Sequence, residues 1–134
     1  MSEAVSIEIA QQEIKDWLDY KRVSEKKREA YKDSIETLAN AIVDGSLVLN
    51  KENFELSHKL KFEIGEEQKI HYFTYKARLD IKSVQAAKQG LKATDADGMI
   101  LAYISALTKQ PKAIVSSLDT EDYSLAQAIA IFFI

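Results

Sequence analysis

The sequence predicts an α+β fold with a long N-terminal helix, an antiparallel β-hairpin or meander, and a C-terminal bundle of short helices. Three observations predict it. Residues from about Ser6 to Val43 contain no glycine and no proline, and their apolar side chains recur at helical spacing. From Leu47 to Ile81 the period falls to two, as in strands with one covered face. From Thr94 to Ile134 helical spacing returns, now cut by Lys109-Gln110-Pro111 and by Asp119-Thr120.

With 134 residues, 46% hydrophobic and 29% charged, the chain can build one domain with a core and carry an appendage. A net charge of −3 argues against nucleic acid and anionic membranes as partners. The absence of cysteine excludes disulfides, thiolate metal sites and a cysteine nucleophile, and fits a reducing compartment. The opening MSEAVSIEIAQQ lacks the basic-then-apolar pattern of a signal peptide, and no apolar run is long enough to cross a bilayer. The expected location is the cytoplasm.

In the N-terminal segment, Ile14, Trp17 and Leu18, then Tyr31, Ile35, Leu38 and Ile42, mark the apolar stripes. The polar DYKRVSEKKREA lies between them, so the segment reads as one long helix or as two helices broken near Ser24. A continuous helix would be about 55 Å long at 1.5 Å per residue. That exceeds the width of a small domain, so residues 1–45 are expected to form an arm on a domain of residues 46–134. Gly45 after Asp44 supplies a left-handed cap. KRVSEKKR reads as a solvated helix face, because Glu25, Glu29 and Asp33 interrupt or follow it and no aromatic residues are interleaved for base stacking.

LVLN is a short strand. FELSHKLKFEI places Phe54, Leu56, His58, Leu60, Phe62 and Ile64 on one face. After the turn GEEQK, IHYFTYKARLDI places His71, Phe73, Tyr75, Ala77, Leu79 and Ile81 on one face. Pairing Phe62 with Phe73, or shifting by one two-residue step, puts both apolar faces on the same side. In that register His58 and His71 lie toward opposite ends with no carboxylate beside them, too few ligands for a metal. Asp80 is placed to cap a short helix over Lys82–Gln89, with Val84 and Ala87 inside and Gly90 at its end.

Thr94 is read as the cap of the next helix, with Asp97 in its first turn and Ile100, Tyr103, Ile104 and Leu107 as its stripe. Pro111 suits the first position of a following helix, whose inner side is Ile114, Val115 and Leu118. Asp119 or Thr120 caps the last helix, with Glu121 and Asp122 at its positive end. Leu125, Ile129, Phe132 and Phe133 form its stripe beside Ala126 and Ala130. Asp95-x-Asp97-Gly98 lacks the ligand set and the closing glutamate of a calcium loop. Phosphate-binding glycine loops and a nucleophile elbow are missing. The pairs Glu66-Glu67 and Glu121-Asp122 sit in a turn and at a helix start, where acids are expected without any chemistry. No catalytic residue, cofactor or metal is expected.

Five segments in order carry a resemblance: Leu60 to Ile64, the Tyr-Lys-x-Arg-Leu strand from Tyr75 to Leu79, A-L-T-x-x-P from Ala106 to Pro111, Leu-Asp-x-x-Asp-Tyr from Leu118 to Tyr123, and Phe132-Phe133. Over roughly residues 47–134 the chain resembles the short phage tail assembly chaperones of the tail-protein-E type. Residues 1–45 depart from that pattern. The resemblance implies a non-enzymatic role in the host-cell cytoplasm: binding the helical tape measure protein and keeping it soluble until tail tube subunits polymerise around it. The tail tube protein and further copies of the chain are additional expected partners.

Exposed amphipathic helices aggregate unless covered, and a groove on a small helical module can cover them. The residues expected to touch the partner are Trp17, Tyr31, Tyr103, Tyr123, Phe132 and Phe133. The alternative expectation is a structural virion or tail adaptor subunit that self-associates through its N-terminal helix.

Overall fold

The N-terminal helical segment breaks twice. In the computed structural model, which describes residues 5–92 and 95–134, it forms α1 (Ile7–Tyr20), α2 (Glu25–Ala30) and α3 (Lys32–Asp44). The long continuous helix is therefore replaced by one of 14 residues and its shorter successors, with the first break near Ser24. Arg22 makes that break, at a left-handed φ of 58°. Val23 N–H bonds to the Leu18 carbonyl and Arg22 N–H to that of Asp19, the crossed pair of a Schellman cap with arginine where glycine is usual. A side chain there costs about 1–2 kcal/mol. Ser24 then caps α2, its Oγ accepting from Lys27 N–H at 3.2 Å. Tyr31 (φ −116°, ψ 33°) separates α2 from α3.

The break lets α3 fold back along α1. Ala10, Ile14, Trp17 and Leu18 of α1 and Leu38, Ala39, Ala41 and Ile42 of α3 lie in the same core as the rest of the chain. α1 and α3, read above as parts of an arm, thus supply part of that core. Gly45 closes α3 at φ 87°, a conformation that strains any side chain.

The sheet has β1 (Leu47–Leu49), β2 (Leu56–Ile64) and β3 (Ile70–Tyr75) in the order β1-β2-β3, all antiparallel. The expected register is corrected: Phe73 faces His58, not Phe62. Lys59 pairs with Tyr72 but Ile64 pairs with Ile70, so residues 60–63 of β2 stand against His71 alone. This irregularity turns Phe62 outward (53% exposed) and leaves His71 exposed, although both were expected on the covered face. β3 also stops at Tyr75, because Lys76 N–H leaves the ladder and bonds to the Leu107 carbonyl.

α4 (Ile81–Ala87) starts at Asp80, whose Oδ1 accepts Ser83 N–H at 2.7 Å. Ile81, expected on the strand face, is its first residue and is 70% exposed. α5 (Ala96–Thr108) is capped by Asp95, which accepts Gly98 N–H at 2.8 Å; the Thr94 cap falls outside the described residues. Pro111 is the residue before α6 (Lys112–Val115) rather than its first. Asp119 caps α7 (Thr120–Ala130), and a 3₁₀ turn (Ile131–Phe133) ends the chain. α3, α5 and α7 lie against the sheet. Leu47, Leu56, Phe73 and Tyr75 meet Ile104, Leu107, Val115 and Ile129 in the core. Among the described residues no helix is long and apolar enough to cross a membrane.

Candidate partner-binding site

The apolar stripe of α7 continues into the 3₁₀ turn, which brings Phe132 and Phe133 to α1 and to the α2–α3 junction. The Phe132 ring lies 5.8 Å from Trp17 at 86° and 6.1 Å from Tyr31 at 80°, edge to face in both cases. Phe133 lies 6.0 Å from Trp17. Four of the expected contact residues therefore converge. They are not equally available: Trp17 (1% exposed) and Phe132 (3%) are core residues that pack edge to face on each other. Their expected role as partner contacts is corrected on that ground. Tyr31 remains 37% exposed and Phe133 half-buried at the rim.

Tyr103 and Tyr123 are half-buried away from this cluster, packed against the core. Lys88 Nζ sits 5.5 Å from the Tyr103 ring. Burial, then the charge of Asp97, raises the Tyr123 hydroxyl above the usual phenol value.

Cations stand over the aromatic rim. Lys21, the residue that closes α1, holds Nζ 3.2 Å from the centroid of Phe133 and 5.7 Å from that of Trp17. Burial, then the charges of Lys27 and Arg78, push its ammonium down to about 8. Arg78 lies 5.2 Å over Tyr20, whose ring stacks on Phe54 at 4.3 Å. Lys21, Arg78, Leu79, Asp80, Phe132 and Phe133 line a groove of about 410 Å³. The exposed Ile81 and Ile134 (49%) follow directly on lining residues in the chain. Among the described residues neither Lys21 nor Arg78 forms an ion pair. In the sequence Lys21 belongs to the solvated KRVSEKKR face and Arg78 to the Tyr-Lys-x-Arg-Leu strand, and nothing there brings the two together.

A second polar cluster is buried under α7. His58 Nδ1 lies 3.0 Å from the Tyr75 hydroxyl, and Nε2 lies 3.4 Å from Asp122 Oδ1. Burial lowers the His58 pKa, and Lys61 adds to this; the nearby Asp122 opposes it without prevailing. Burial also keeps Tyr75 protonated by raising its pKa. The consistent assignment is a neutral imidazole that accepts from Tyr75 O–H at Nδ1 and points Nε2–H at Asp122. Asp122 also accepts from Lys61 N–H (2.9 Å) and Phe62 N–H (3.1 Å). These are backbone donors that the β2 bulge leaves without strand partners.

The carboxylate that the sequence reading did not find beside His58 thus comes from α7. His71, apart from this cluster, has Glu63 at 3.4 Å. His58 and Asp122 lie in the lining of a cleft of about 260 Å³, with Thr37, Asn40, Lys61 and Glu121. Tyr75 is wholly enclosed, and all three side chains are occupied with one another or with the bulge, as in a cluster that fixes a fold.

No protein-family model, curated protein or solved structure matches the chain.

Proposed function

We propose that this protein is a non-enzymatic binding module that covers an apolar helical segment of another protein, acting as a tail assembly chaperone for a tape measure protein. The observation that carries the reading is the rim at the C-terminal turn, where Tyr31 packs on Phe132 and reaches the surface, Phe133 is half-buried, and Ile134 is exposed. An amphipathic helix laid there would bury the apolar stripe that otherwise drives its aggregation. The order of segments from Leu60 to Phe133 supports the same reading. The adaptor alternative has less surface to use, because the main stripes of α1 and α3 are occupied in this chain's own core.

The test is light scattering of the tape measure protein with an equimolar amount of this protein. Suppressed scattering and co-elution of the two chains are expected; unchanged scattering overturns the reading. Recovery of the chain from purified, completed particles would favour the adaptor instead.

A further inference from the structure

We propose that the groove between Lys21 and Arg78 selects its partner by charge, taking a helical segment that carries Asp or Glu one turn away from Leu or Phe. The inference rests on the binding reading above and specifies the chemistry of the partner. Phe132, Phe133 and Leu79 line the groove with the two cations, and Lys21 Nζ lies 3.2 Å from the centre of the Phe133 ring. A groove of about 410 Å³ lies within the usual range for ligand-sized pockets. Residues three or four apart on a helix sit side by side, so an apolar side chain on Phe133 places a neighbouring carboxylate near Lys21 or Arg78.

Charge complementarity favours an acidic occupant. The chain as a whole is acidic, at −3, yet Lys21, Lys27 and Arg78 gather here and repel one another. Lys27 donates to the main-chain oxygen of Ile134 at 2.7 Å, and Arg78 donates to the Tyr20 carbonyl at 3.5 Å. Asp80 is the acid lining the groove; it caps α4 by accepting from Ser83 N–H, and its charge offsets one of the three cations, which leaves the cluster positive. An incoming carboxylate would relieve the repulsion and supply the counter-charge that the half-buried Lys21 lacks. A basic segment would add a further like charge, which costs affinity.

Fluorescence anisotropy with two labelled synthetic helical peptides tests this. Both carry a Leu/Phe stripe; one flanks it with Glu, the other with Lys at the same positions. The Glu peptide is expected to bind, with affinity falling as salt rises, and the Lys peptide to bind at least about tenfold more weakly. Arg78 is exposed, so Arg78→Glu is expected to keep the fold, to weaken the Glu peptide by about tenfold and to improve binding of the Lys peptide. Raising the pH from 7 to 9 carries Lys21 through its lowered pKa and is expected to weaken the Glu peptide further. Lys27, Arg78 and Asp80 are the charged groups set around that amine.

Equal binding of the two peptides, or no effect of Arg78→Glu, overturns the inference. If Arg78→Glu abolishes peptide selection and wild type still fails to suppress tape measure scattering, the groove stands and the chaperone reading falls. If the variant protects the tape measure protein as well as wild type does, the chaperone reading stands and the groove inference falls.

Discussion

Asp122 and Lys21 each bring a charge to the edge of the apolar interior, on opposite terms. Asp122 is 1% exposed and has two backbone donors and a histidine around it. Lys21 is half-buried on aromatic rings and, among the described residues, has no carboxylate partner. A buried charge with its hydrogen bonds satisfied fixes one arrangement of the chain around it. A partly buried charge without an opposite one leaves capacity for something outside the chain. The first region therefore reads as architecture and the second as a place of contact.

The largest effect that would break this contrast is at Asp122. Asp122→Ala strips Lys61 N–H, Phe62 N–H and His58 Nε2 of their shared acceptor. Its expected cost in urea or guanidinium unfolding is about 3–5 kcal/mol, in the range for breaking a buried polar pair. A loss below about 1 kcal/mol would mean that the bulge is held by other contacts.

A smaller effect concerns pH. The lowered pKa of His58 means that the unfolded chain takes up the proton first. The stability due to neutral His58 is full above its ordinary value of 6.5 and is lost as pH falls through the lower folded value. The melting temperature is expected to fall on acidification below 6.5, and less steeply in His58→Gln. Identical slopes in the two proteins would show that His58 is not held neutral by the fold.

The smallest effect has the opposite sign. Folding lowers the Lys21 pKa from 10.5 to about 8, so the charged amine opposes folding at neutral pH and stability rises as pH climbs between those values. The Phe133 face offsets part of that cost. Lys21→Met is expected to stabilise the protein by about 1 kcal/mol at pH 7, after allowance for solvent screening. The gain should vanish above pH 10.5, where the unfolded amine is neutral too. The same variant is expected to lose the Glu peptide, separating stability from binding. A variant no more stable than wild type at pH 7 would sharpen the comparison differently, by placing Lys21 among satisfied charges.

The α+β class, the strand-to-helix order and several element ends were legible in the sequence. Gly45, Asp80 and Asp119 stop or start helices through hydrogen bonds that close within a few residues, so the local sequence contains everything that they need. The period of apolar side chains likewise reports only which face an element must hide.

Tertiary structure decided the rest. Arg22 adopts a left-handed turn that its own chemistry disfavours, because α3 finds its core only by returning along α1. Trp17 and Phe132 are hidden against each other in that core, so neither is left for a partner. The strand register turns on a bulge whose free N–H groups meet Asp122 from a distant helix, and alternation alone cannot reveal such an acceptor. Lys21 and Arg78 share a groove only because the ends of α1, β3 and α7 meet in space. Pattern within an element follows from near neighbours along the chain, whereas a site assembled from three elements depends on how the chain closes upon itself.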